Sequence, residues 1–129
     1  MILGIGMDLC DIVRIQKALD RWGERFAERI LVGHELKRFR SHRKPAAYLA
    51  KRFAAKEAFS KAVGRGIRYP VNWHNVGVIN APSGKPSLQF SPVLQAWLKE
   101  RGVGAVHLSL TDEISMAAAY VIIEKAEAS

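Results

Sequence analysis

Two hydrophobic periods alternate along this chain, and the places where one gives way to the other mark its elements. From Ile2 to Leu9 the period is two, which puts Leu3, Ile5, Met7 and Leu9 on one face of a strand and Gly4, Gly6 and Asp8 on the other. After Asp11 the apolar positions Ile12, Ile15, Leu19, Trp22, Phe26 and Ile30 recur every three or four residues. That spacing predicts an amphipathic helix, or two helices broken near Gly23. A short helical stretch follows Gly33 and ends near Arg40, and the tract SHRKP reads as a loop with Pro45 at the first turn of the next helix. That helix, about Ala46 to Val63, carries Leu49, Phe53, Phe59 and many alanines and stops at Gly64 and Gly66. Beyond it VGVIN and LQF read as short strands around the APSGKP turn, and Pro92 to Arg101 as a helix capped by Ser91. AVHLSLT, the TDEIS turn and MAAAYVII then predict a hairpin of one half-polar and one fully buried strand. No internal repeat or long linker divides the chain, so residues 1–129 are read as one domain.

Composition narrows the class. At 49% hydrophobic and 25% charged, a globular fold is expected. One cysteine, Cys10, excludes an internal disulfide and a Cys-rich zinc site, and a reducing cytoplasm is the simplest compartment. The N-terminus lacks the basic region of a signal peptide, and no run reaches the ~18 apolar residues of a membrane span. The formal charge of +8 is unevenly placed: residues 14–68 hold 16 Lys/Arg against 5 Asp/Glu, a local +11. This argues for an anionic partner without choosing between nucleic acid, a phosphorylated small molecule, a membrane and an acidic protein.

Four groupings have chemical potential, each with a plainer alternative. In Gly4-Ile5-Gly6-Met7-Asp8 a carboxylate stands beside bare glycines, with room for a ligand, or else Asp8 caps the following helix. Phe53, Glu57 and Lys61 share one helical face while Lys56 projects elsewhere. An acid so placed suits a hard cation beside phosphate, or is half of an ordinary i,i+4 ion pair. His107, Ser109 and Thr111 form a polar row one pleat apart, either lining a ligand or simply solvated. Arg14, Lys17, Arg21, Arg25 and Arg29 form a basic helical stripe, a docking surface or a solvated face paired through Glu24 and Glu28.

Together these segments are more specific than any one alone. Gly6 to Arg14 as GxDxxxxxR, Phe53 to Lys61 as FxxKExxxK, Gly84-Lys85-Pro86 and the His107 to Asp112 strand occur in order across nearly the whole chain. The sequence thereby resembles the small bacterial holo-acyl-carrier-protein synthase family of 4'-phosphopantetheinyl transferases. The resemblance implies an α+β fold, an antiparallel sheet packed with a long central helix, with sites between subunits of a homotrimer. It implies transfer of 4'-phosphopantetheine from coenzyme A to a serine of apo acyl carrier protein, releasing adenosine 3',5'-bisphosphate, with Mg2+ as cofactor, in fatty acid biosynthesis. Carried over by position, Asp8 and Glu57 are the metal carboxylates, and Glu57 and Lys61 the catalytic pair. Asp8, Arg52, Lys61, Gly64, Gly66, Lys85, Pro86, His107 and Ser109 would line coenzyme A, and Arg14, Arg21, Arg25 and Phe26 would dock the acidic carrier. For the serine proton, Glu57 directly, Glu57 through a metal-associated water and Glu35 through a water all remain open. Arg65 stands where the family usually has Thr. The alternative from another class is a small basic nucleic-acid-binding module, which the +11 segment motivates.

Overall fold

The computed structural model describes residues 1–127. Its elements are β1 (Ile2–Asp11), α1 (Ile12–Trp22), α2 (Glu24–Ile30), α3 (Gly33–Ser41) and α4 (Pro45–Ala62), then β2 (Val76–Asn80), β3 (Pro86–Phe90), α5 (Pro92–Glu100), β4 (Val103–Asp112) and β5 (Met116–Lys125). An antiparallel sheet in the order β1-β5-β4 lies beside the β2-β3 hairpin. The long helix α4 packs against both β1 and β5. The α+β expectation therefore holds, with α4 at the centre.

The break at Gly23 is real: its φ of 65° is a left-handed turn that separates α1 from α2. Asp11, not Asp8, caps α1, its Oδ1 accepting the Val13 N–H at 2.9 Å. The plainer reading of Asp8 as a helix cap is thereby corrected, and its carboxylate is free for other work. Ser91 caps α5 as its position implied, accepting from the Leu94 N–H.

Helix α4 is buried on nearly every side, which is why its alanines outnumber its large side chains. Leu49, Ala54, Ala58 and Phe59 are fully enclosed, and truncating Leu49 to Ala would cost about 2–5 kcal/mol. The seam between α4 and β1 is made by glycine. A Cβ on Gly4 would overlap the Ala62 carbonyl, and one on Gly6 the Ala58 carbonyl. Only bare glycines let the helix backbone come this close, so Gly4 and Gly6 set how near α4 stands to Asp8.

The face of β1 carrying Gly4, Gly6 and Cys10 turns inward, while the apolar stripe turns out. Leu3, Ile5, Met7 and Leu9 are 44%, 57%, 53% and 58% exposed. Directly paired residues share a face, and here Ile5 aligns with Ile122 and His107, and Met7 with Tyr120 and Ser109. The expectation that the last strand is fully buried is corrected accordingly. β5 buries Ala117, Ala119, Val121 and Ile123 and leaves Tyr120 41% exposed on the outer face.

Candidate active site

Asp8 lies on the inward face of β1, opposite the buried Ala119 of β5. Across the glycine seam, α4 presents Glu57 and, one turn later, Lys61. The Lys61 Nζ donates to Asp8 Oδ1 at 2.9 Å and to the Met7 carbonyl at 3.2 Å. Lys61 thus reaches to the strand, and the plain i,i+4 partnership with Glu57 gives way to a cross-element ion pair. The Lys61 side chain is 52% exposed and that of Asp8 14%, so the pair contributes at most ~1 kcal/mol. Burial, and then the neighbouring Asp8 carboxylate, raise the Glu57 carboxyl above its ordinary pKa, with Lys61 opposing. Two carboxylates that repel each other beside one ammonium fit a divalent cation held by oxygen ligands, the remaining positions open to phosphate. Cys10 borders this region but is inert: burial, reinforced by Asp8, pushes its thiol up to about 11.

The other expected coenzyme-binding residues stand elsewhere in the same chain. Arg52 is buried on the far side of α4, where its Nη2 donates to Asn80 Oδ1 at 2.8 Å and its guanidinium lies 4.0 Å from the centre of the Tyr48 ring. It lines a cleft of about 700 Å³ together with Arg38, His42, Lys51, Asn80 and Gly84. Lys85 and Pro86 follow Gly84 in the β2-β3 turn, beside this cleft. One buried guanidinium nitrogen here, Arg52 Nε, has no protein partner. Position alone did not single out Arg38, His42, Lys51 or Asn80; the charge-dense SHRKP tract was the available signal. Burial and the cations Lys51, Arg38 and Arg52 lower the His42 pKa, as expected of a cleft already rich in positive charge.

His107 and Ser109 form a third group, on the outer sheet face, with His107 Nε2 3.2 Å from Glu124 Oε2. Gly64 and Gly66 have φ of 74° and 73° and their amides close the end of α4, donating to the Lys61 and Ser60 carbonyls. Their N–H groups are therefore engaged in the turn. Arg65 donates from Nη2 to the Tyr69 carbonyl at 2.8 Å and sits 5.7 Å from the Trp97 ring centre.

The basic stripe divides. Arg40 forms the bidentate pair with Glu24 at 2.7 and 3.1 Å, so the anticipated local neutralisation of Arg21 by Glu24 does not occur. Among the described residues Arg14, Arg21 and Arg25 make no ion pair. Arg14 and Phe26 border a cleft of about 400 Å³ with Leu9, Ile15 and Phe53, and Arg25 and Phe26 border another with Trp22 and His74. Cations around apolar hollows, rather than a continuous basic ridge, make up this surface.

Glu35 is removed from the candidate bases. It is 0% exposed, and its Oε1 accepts from Lys56 Nζ at 2.7 Å and the Val32 N–H at 2.9 Å, while Oε2 accepts the Val78 N–H at 2.7 Å. A carboxylate so enclosed has no path to an incoming hydroxyl.

Two carboxylates beside a lysine suit group transfer on phosphates, and comparison with known proteins points to the same class. Residues 4–121 match the family model described as the 4'-phosphopantetheinyl transferase superfamily, and the chain belongs to that superfamily. Within it, the chain is similar to holo-[acyl-carrier-protein] synthases. That of Nitrosomonas europaea is 50% identical over 125 residues, covering 97% of this chain and all of the relative. That of Bordetella pertussis is 53% identical over 129 residues, covering 96% and 84%. Among solved structures, the holo-[acyl-carrier-protein] synthase of Neisseria meningitidis superposes with a TM-score of 0.94 at 47% identity, covering 97% of this chain and 100% of that one. The Bacillus anthracis enzyme, in complex with CoA (3',5'-ADP), superposes with a TM-score of 0.82 at 38% identity, covering 98% and 99%. None of these relationships supports the nucleic-acid-binding alternative.

Proposed function

We propose that this chain transfers 4'-phosphopantetheine from coenzyme A to a serine of apo acyl carrier protein, with release of adenosine 3',5'-bisphosphate. The convergence of Asp8, Glu57 and Lys61 across the glycine seam carries this reading, since two carboxylates and a lysine are a common way to handle a pyrophosphate. Asp8 and Glu57 would hold Mg2+, which when bound supplies positive charge to the pyrophosphate and to the leaving bisphosphate. Lys61, already half in solvent, exchanges Asp8 for a phosphate oxygen as a point charge. Glu57 would take the serine proton through a water.

In the same reading the Arg52 cleft with Lys85 and Pro86, and His107 and Ser109, complete the coenzyme site from a neighbouring subunit. One chain places these residues away from Asp8, and the exposed stripe Leu3, Ile5, Met7 and Leu9 gives copies a surface on which to associate. A homotrimer satisfies both needs. Arg14, Arg21, Arg25 and Phe26 would dock an acidic carrier through charge complementarity. The reducing cytoplasm suits the free Cys10, and among the described residues no helix is long and apolar enough to cross a membrane.

The decisive assay incubates the purified protein with coenzyme A, Mg2+ and apo carrier and follows the intact mass of the carrier. The expected result is one phosphopantetheine adduct per carrier. An unmodified carrier at high enzyme concentration would overturn the reading.

A further inference from the structure

Lys56 stands in the same motif as Glu57, yet nothing in the chemistry above uses it. Its side chain is wholly buried, and its ammonium donates to Glu35 Oε1 at 2.7 Å, to the Trp73 carbonyl at 3.0 Å and to the Ile30 carbonyl. Glu35 in turn takes the Val32 and Val78 amides. Every donor of the ammonium is used, and five segments meet at the Lys56–Glu35 pair.

Those segments are not arbitrary. Ile30 is the last residue of α2, the helix that carries Arg25 and Phe26. Trp73 stacks on Phe53 with ring centres 5.1 Å apart, one helical turn before Glu57. Val32 leads into α3, and Val78 is in the middle of β2, next to the strand end that holds Asn80. A buried ion pair is a weak source of stability, because apolar residues of similar volume usually fold as well. What such a pair does well is fix one geometry, since each misplacement strands a charge or an amide in the core. Lys56 adjoins Glu57 on one rigid helix, so the geometry fixed is that between the docking helix and the reacting carboxylate.

We propose that Lys56 and Glu35 are positioning residues that hold the carrier-docking helix α2 at a set distance and angle from Glu57. The pair touches neither coenzyme A nor carrier; it acts through the Ile30 carbonyl and the start of α3. This inference rests on the docking role of Arg25 and Phe26.

Steady-state kinetics with coenzyme A and apo carrier test it on Glu35→Gln and on the double variant Lys56→Met/Glu35→Met, which removes both charges together. The expected result is a carrier KM raised about tenfold, with kcat at saturating carrier and coenzyme A affinity by calorimetry both within about twofold of wild type. An unchanged carrier KM, or an equal loss of coenzyme A affinity, overturns it. Should neither variant fold, hydrogen exchange on the wild-type protein decides. The Val32 and Val78 amides should exchange as slowly as the α4 amides, and fast exchange at either overturns the brace. Arg25→Glu in the wild-type background separates the two readings. If its carrier KM does not rise, the docking role itself fails and the inference falls with it; if it rises while the pair's variants stay normal, the brace alone is wrong.

Discussion

A glutamate beside an aspartate on the neighbouring strand has an energetic cost that an oxygen-seeking cation would offset. Burial and Asp8 raise the Glu57 pKa, so the folded chain binds that proton more tightly than the unfolded chain does. Stability of the metal-free protein therefore falls as pH rises from the unfolded to the folded pKa of Glu57. Thermal melts should show Glu57→Gln melting higher than wild type at neutral pH without metal, and Mg2+ should raise the melting temperature of wild type but not of the variant. The same ionisation should appear in kinetics. Because only the ionised carboxylate would hold the cation, the Mg2+ concentration giving half-maximal rate should fall as pH rises between about 4 and 8. Asp8→Ala should lower turnover on the order of 100- to 1000-fold in the mass assay, with the circular dichroism spectrum unchanged.

At the scale of elements, the controlling feature is how closely α4 lies on β1. Gly6→Ala places a methyl group into the Ala58 carbonyl, and neither backbone yields cheaply. A destabilisation of about 1–3 kcal/mol is expected in urea melts, with activity lost even where the fold survives, because Glu57 moves relative to Asp8. Most of these elements could be read from the sequence. The α1/α2 break, the Ser91 cap and the VGVIN strand lie where glycine, serine and the β-branched run put them. Periodicity also separated Glu57 and Lys61 from Lys56, because side chains four apart share a helical face and those adjacent do not. What it missed was tertiary. Alternation gave the two faces of β1 but not which one is covered, since that depends on α4 docking on the glycine side. Likewise Glu35 looked available as a base because burial by Lys56 and Val78, 21 and 43 residues away, leaves no mark in local spacing.

For the whole molecule, charge and apolarity are sorted onto separate surfaces. The +11 segment folds into distinct patches: free arginines on α1 and α2, a cation-rich cleft around Arg52, and Lys61 at the carboxylates. Lys56 and Arg40 are neutralised by partners of their own. Net charge therefore indicated the sign of the partners, and only the fold separates one anion from another. The outer sheet face is instead apolar along β1, with Tyr120 at its centre. Placing charge there by Ile5→Glu or Tyr120→Glu should dissociate the proposed homotrimer in light scattering and abolish turnover, while the isolated chain keeps its secondary structure.

The proposed division of the coenzyme site between copies has a consequence for mixtures. Asp8→Ala damages one half of every site, and Arg52→Ala damages the other, so each variant alone should be nearly inactive. Co-refolded in equal amounts, subunits would meet at random, and about a quarter of the interfaces would join an intact carboxylate half to an intact arginine half. Two dead proteins should then restore part of each other's activity, as intragenic complementation does in a cell carrying both alleles.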